Sequence, residues 1–261
     1  MLIPERRATP ATTPDPDDVA MADRLTWPAT LALHLTPAAV TLAGALALAP
    51  LVSRLGLPPS AALTAAFAFL LTPIELGLLL RAAHRTTGRW SLTALPAVLA
   101  YRRRLGRWGL TVPALFAFAL LVAVAWTPVG DALGDRLRAV YPAWLLPGFD
   151  GETGCPTAVV VGLLLASLLI DGLINPTVEE LYFRAYLLPR LPVAGWRAVP
   201  LSAALFAVQH YWQPYNWALI FMLQLVLTAL VIRSRSIRLG IVMHVLANSF
   251  GILATLVAVL A

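Results

Sequence analysis

Seven long apolar runs decide most of what this chain can fold into. They cover Leu31 to Val52, Ala61 to Leu80, Leu110 to Pro128, Thr157 to Ile174, Val199 to Trp212, Trp217 to Ile232 and Leu239 to Leu260. A helix needs about twenty apolar residues to cross the hydrocarbon core of a bilayer, and Val199 to Trp212 is short by that measure. Inside lipid only helices and closed barrels satisfy their own backbone polar groups. With 59% hydrophobic and 12% charged residues in 261, the composition lies outside the soluble range. The expectation is an all-α fold, a polytopic transmembrane bundle of about seven to eight membrane helices.

Charge sets the topology. All nineteen basic residues are arginines, against thirteen acids, and they cluster in a few connections. Arg81, Arg85, Arg89, Arg102, Arg103, Arg104 and Arg107 lie between Arg81 and Gly109 with no acid among them. That bias predicts a cytoplasmic loop, resting partly on the anionic lipid surface, and gives no reason to expect nucleic acid as a partner. Alternation then places the connections near 190–197 and 233–238 on the same side, with the amino terminus inside. The segment Asp131 to Cys155, with Asp131, Asp135, Asp150 and Glu152 against Arg136 and Arg138, belongs on the other side. Residues 1–30 read as a flexible tail without the features of a cleaved signal peptide. Residues 31–156 read as the first spans with their basic loop, and 157–261 as the part that carries the chemistry. Cys155 is the only cysteine, which excludes an intrachain disulfide and a thiolate zinc cluster. Glu75, beside Pro73 in the second run, is expected to have a structural or supporting role.

Within NPTVEELYFRAYLLPRL, Asn175 to Leu191, three charged residues, Glu179, Glu180 and Arg184, fall within six positions of a sequence that otherwise reads as membrane-embedded. A charge at bilayer depth costs at least ~2.5 kcal/mol on insertion scales and faces a protein interior or a wet cavity. Glu180 and Arg184 are four apart and share a helix face, so they are expected to pair, whereas Glu179 points about 100° away. That leaves one carboxylate neutralised and one free. The plainer alternative is an ion pair at a helix end with Glu179 facing solvent. Pro176 is expected to break or kink the helix just before the glutamates. Asp171, Asn175 and Glu179, spaced by four, line one face if the kink is mild.

Two further pairs lie in the later runs, Phe206 with His210 and His244 with Asn248, each four apart and on one helix face. A lone helical histidine is usually a satisfied core residue, but two of the four in this chain stand here with an asparagine and a carboxylate pair. Counting helical rise from the nearest arginine puts Glu179 roughly 16 Å, His210 roughly 20 Å, Asn248 roughly 15 Å and His244 about 9 Å from one face. Those depths are compatible with one cavity open to the cytoplasm.

The ordered set Glu179-Glu180-x-x-x-Arg184, Phe206-x-x-x-His210 and His244-x-x-x-Asn248 resembles the CPBP family of CAAX prenyl protease type 2 and bacteriocin-processing proteins, also called Abi proteins. The resemblance covers roughly Thr157 to Ala261. It implies an intramembrane endopeptidase of the glutamic type acting on a membrane-associated protein or peptide in the lipid bilayer. Eukaryotic relatives remove the C-terminal tripeptide of prenylated proteins. On this reading Glu179 and His210 activate water, and His244 and Asn248 donate to the oxyanion. Glu180, Arg184 and Phe206 then have supporting roles, with Arg184 also able to hold a substrate carboxylate. No cofactor or metal is expected. A zinc version with two histidines and a glutamate stays open. So does a non-catalytic immunity factor or scaffold, or a transporter with a Glu/His proton relay.

Overall fold

The computed structural model of the chain describes residues 24–147 and 155–261. Six helices among them are long and apolar enough to cross a membrane. These are α1 (Trp27–Arg54), α2 (Ala61–Thr87), α3 (Gly106–Leu137), α4 (Thr157–Arg190), α6 (Pro214–Ser234) and α7 (Ile237–Leu260), and the remaining apolar run forms the shorter helix α5 (Gly195–Val208). No strand forms among the described residues beyond an isolated bridge between Arg102 and Ser236. The protein is an integral, multi-pass helical bundle.

Two sequence boundaries need comment. The expected tail falls outside the described residues as far as residue 23, but its end does not behave as a tail: α1 begins at Trp27. Thr26 caps it by accepting from the Ala29 N–H at 3.4 Å, and Pro28 sits in the first turn, where a missing N–H costs nothing. Asp150 and Glu152, used to assign the far side, lie outside the described residues.

The basic loops gather at one end of the bundle. The Leu25 N–H donates to Arg190 O at 2.8 Å, Ala100 N–H to Ala185 O at 2.9 Å, Arg103 N–H to Arg235 O at 3.0 Å and Ile237 N–H to Tyr101 O at 2.6 Å. The start of α1, the loop after α2, the end of α4 and the α6–α7 turn therefore share a face, as the arginine distribution predicts.

The short helix α5 is sheltered by protein more than by lipid. Seven of the eleven residues from Ala198 to Val208 are buried. A helix of that length rises ~16 Å, about half the hydrocarbon thickness. It needs no second interfacial end because the chain turns back through 209–216 into α6, against which α5 packs.

Prolines inside the spans create the polar attachments between them. Pro37 has no N–H, so the Leu33 carbonyl four residues back lacks its helical donor, and the Tyr182 hydroxyl from α4 donates to it at 2.8 Å. Helix α4 does not break at Pro176. It runs from Thr157 to Arg190 with a π-helical stretch at Leu168–Ile174 before the proline and another at Glu180–Leu187 after it. The Asn175 N–H reaches back five residues to Ile170 O, and Pro176 has no N–H. The Asp171 and Gly172 carbonyls are left for α7: Asn248 Nδ2 donates to Asp171 O at 3.0 Å and Ser249 Oγ to Gly172 O at 3.2 Å. A second π-helical stretch before a proline, Phe67–Leu71 ahead of Pro73, lies in α2. The residues preceding the two prolines join directly, Thr72 Oγ1 donating to Asn175 Oδ1 at 2.9 Å.

Candidate active site

Helix α4 brings two carboxylates into the bundle on consecutive residues, and their surroundings differ. Glu180 is fully buried and forms an ion pair with Arg184, one helical turn on. The second arm of the Arg184 guanidinium donates to Gln224 Oε1 of α6, and its Cζ lies 4.7 Å from the centroid of the Phe206 ring. A buried ion pair gains from its Coulomb attraction only when hydrogen bonds satisfy the remaining atoms, and Gln224 supplies one of them. Helix α7 approaches at Gly240, where a Cβ would overlap Glu180 Oε2. Glycine at that position leaves room for the Glu180 carboxylate against the α7 backbone.

Glu179 is also buried, but its contacts are weaker. Gln209 Nε2 donates to its Oε1 at 3.4 Å, and His244 Nε2 lies 3.7 Å from its Oε2, beyond hydrogen-bond length. Glu179 lines a cavity of about 240 Å³ together with Asp171, Asn175, His210, His244 and Asn248. The rest of the lining is largely apolar, including Leu115 and Phe118 of α3 and Ile220, Leu223 and Leu227 of α6.

The imidazoles are oriented by their second nitrogens. His210 Nδ1 is 2.7 Å from Phe206 O, and because a carbonyl only accepts, Nδ1 carries the proton. In the neutral ring Nε2 then keeps its lone pair. The ring is packed against Phe206 and Trp212, at centroid distances of 5.0 and 5.1 Å. His244 Nδ1 lies 3.0 Å from Glu180 Oε1, which is already accepting from Arg184, so Nδ1 donates there too. His244 thus stands between the two carboxylates. Phe206 fills the space among Arg184, His210 and His244, with its ring centroid 5.8 Å from that of His244.

Glu179, His210, His244 and Asn248 therefore all line one cavity, and Glu180, Arg184 and Phe206 stand against it. Asn248 arrives with a structural task, since one of its N–H groups is occupied by the Asp171 carbonyl. Among the described residues no three His, Cys, Asp or Glu side chains group as a metal set. Sequence reasoning missed Gln209 and Gln224. Both had a signal, a single amide inside an apolar run, Gln224 in LIFMLQLVLT and Gln209 beside His210.

Fold and site together define the class: a helical, multi-pass membrane protein with carboxylates and imidazoles converging on a cavity between its spans. Residues 155–250 match the family Rce1-like, described as type II CAAX prenyl endopeptidase Rce1-like, in agreement with the resemblance carried by the three motifs. At family level the match indicates a CAAX protease-type hydrolase. Neither a curated protein nor a solved structure matches the chain.

Proposed function

We propose that the protein is an intramembrane endopeptidase that hydrolyses a peptide bond of a membrane-associated protein or peptide, using water activated by Glu179 and His210. The observation that carries this reading is the convergence of Glu179, His210, His244 and Asn248 on one cavity whose lining is otherwise largely apolar. A water between Glu179 and His210 Nε2 donates one hydrogen to each. As its oxygen attacks the scissile carbonyl, Glu179 takes a proton and later delivers it to the leaving amine nitrogen, so the carboxylate is regenerated. The oxyanion that forms is met by the remaining N–H of Asn248, whose amide is already oriented by the Asp171 carbonyl. His244 donates through Nε2 when both of its nitrogens carry protons. Glu180 and Arg184 hold His244 and the end of α4 in place. The apolar wall suits a substrate segment that enters from the bilayer, and the gathering of arginine loops supports a multi-pass protein of the cell membrane with its cavity open toward the cytoplasm.

The test is mass spectrometry of membrane-protein termini in cells carrying the wild type or Glu179→Gln, followed by cleavage of the identified peptide by purified protein. New termini that require Glu179, and cleavage that survives exhaustive chelation, are expected. Activity lost on chelation and regained with zinc replaces the water-activation scheme with a metal one. An absence of any cut peptide, with a cellular phenotype that persists in Glu179→Gln, favours a scaffold.

A further inference from the structure

A third carboxyl lies behind Glu179, and the mechanism makes no use of it. Glu75 of α2 is fully buried within a membrane span, and among the described residues neither of its oxygens has a hydrogen-bond partner. The Thr72–Asn175 hydrogen bond fixes its place. One turn beyond that contact, α2 presents Glu75 and α4 presents Glu179. The two helices pack together over these turns, and Tyr182 follows one turn further along α4. Glu179 lines the cavity and Glu75 does not.

Among the described residues the charges around this layer leave no cation for Glu75. Arg184 is held by Glu180 and Gln224, and His244 stands between Glu180 and Glu179. The Tyr182 hydroxyl is spent on Leu33 O. On α1, His34 turns its Nδ1 to Thr30 O and its ring toward Phe183, and the turn Leu92–Ala97 packed on α2 carries no titratable group. An unpaired carboxylate in such a place is strongly disfavoured, and two like charges side by side disfavour each other further.

We infer that Glu75 stands as a neutral carboxylic acid in the resting protein and acts as a positioning residue that leaves Glu179 the ionised member of the pair. As an acid it carries one O–H donor, and its neighbour Glu179 is an acceptor. It also keeps a second negative charge away from the carboxylate that must take a proton from water. The catalytic part of this inference rests on the hydrolase reading, whereas the protonation state of Glu75 does not.

Infrared difference spectroscopy of the full-length protein in lipid nanodiscs separates the two. The C=O stretching band of a protonated carboxyl is expected in the wild type and in Glu179→Gln, and is expected to be lost in Glu75→Gln and in Glu75→Leu. Either Glu75 variant suffices if the other fails to fold. A band lost in Glu179→Gln but kept in the Glu75 variants, or unchanged in all of them, overturns the assignment. For the positioning role, Glu75→Leu should lose kcat with KM unchanged, and Glu75→Gln, with the shape and a donor of the neutral acid, should restore it. Wild-type kcat in Glu75→Leu overturns that role. A wild type that cuts no peptide removes the hydrolase reading and leaves the infrared result to decide the charge of Glu75.

Discussion

Arg184 is held by three groups at once, the Glu180 carboxylate, the Gln224 amide and the Phe206 ring. Removing one partner of a buried ion pair leaves the other uncompensated and costs about 3–5 kcal/mol. Arg184→Ala should therefore lower the thermal unfolding midpoint in detergent, while Glu179→Gln, which breaks no ion pair with arginine, should leave it near the wild-type value. Equal midpoints for the two variants, both inactive, would move Arg184 from the scaffold to the substrate. Glu179→Gln keeps the shape and removes the base, so kcat should fall on the order of 100-fold or more. Substrate should still bind, as equilibrium binding of labelled peptide would show. The spacing of Glu180 and Arg184 made their pairing readable in the sequence. The partners Gln209 and Gln224 were not, because nothing in the spacing says which charged group an isolated amide will meet.

At the level of elements, the bundle is joined where helices are irregular. Pro37 frees a carbonyl that Tyr182 takes, and the π-helical turn before Pro176 frees two that Asn248 and Ser249 take. This explains why the sequence located Asn248 in the site but not its bond to Asp171. Helical spacing assumes a regular 3.6-residue turn, and the acceptor exists only because α4 departs from it. The same departure answers the expectation at Pro176: a proline that would break a lipid-exposed helix is absorbed here because α7 supplies the missing donors. The approach of α7 to Glu180 at Gly240 gives a further prediction. Gly240→Ala should displace the Glu180 carboxylate from Arg184 and His244, reducing both yield and cleavage. Gly251→Ala on the same helix, where nothing lies within 4 Å of the added carbon, is the control and should match the wild type in both assays.

For the whole molecule, the apolar runs and the arginine distribution conveyed the architecture, because length and charge asymmetry are the two properties a bilayer reads directly. They did not convey that the short run is a buried half-crossing, since hydropathy does not distinguish a lipid neighbour from a protein one. Topology is testable with a native probe: Cys155, half-buried at the start of α4, lies at the opposite end of a 34-residue helix from Arg190. An impermeant maleimide should label it in intact cells, and labelling only after the cytoplasmic face is opened would invert the scheme. None of the apolar window of α3 is buried, and this helix is attached by the packing of Phe116 on Phe250 and by Trp126 donating to Tyr215 O at 3.3 Å. Yet it supplies Leu115, Phe118 and Ala119 to the cavity. Acyl chains are as apolar as those side chains, so exchanging one for the other along this seam is nearly neutral in free energy. On the proposed reading, a guest that parts this seam meets Glu179 sideways, from the bilayer, without breaking the ion pair or the carbonyl locks.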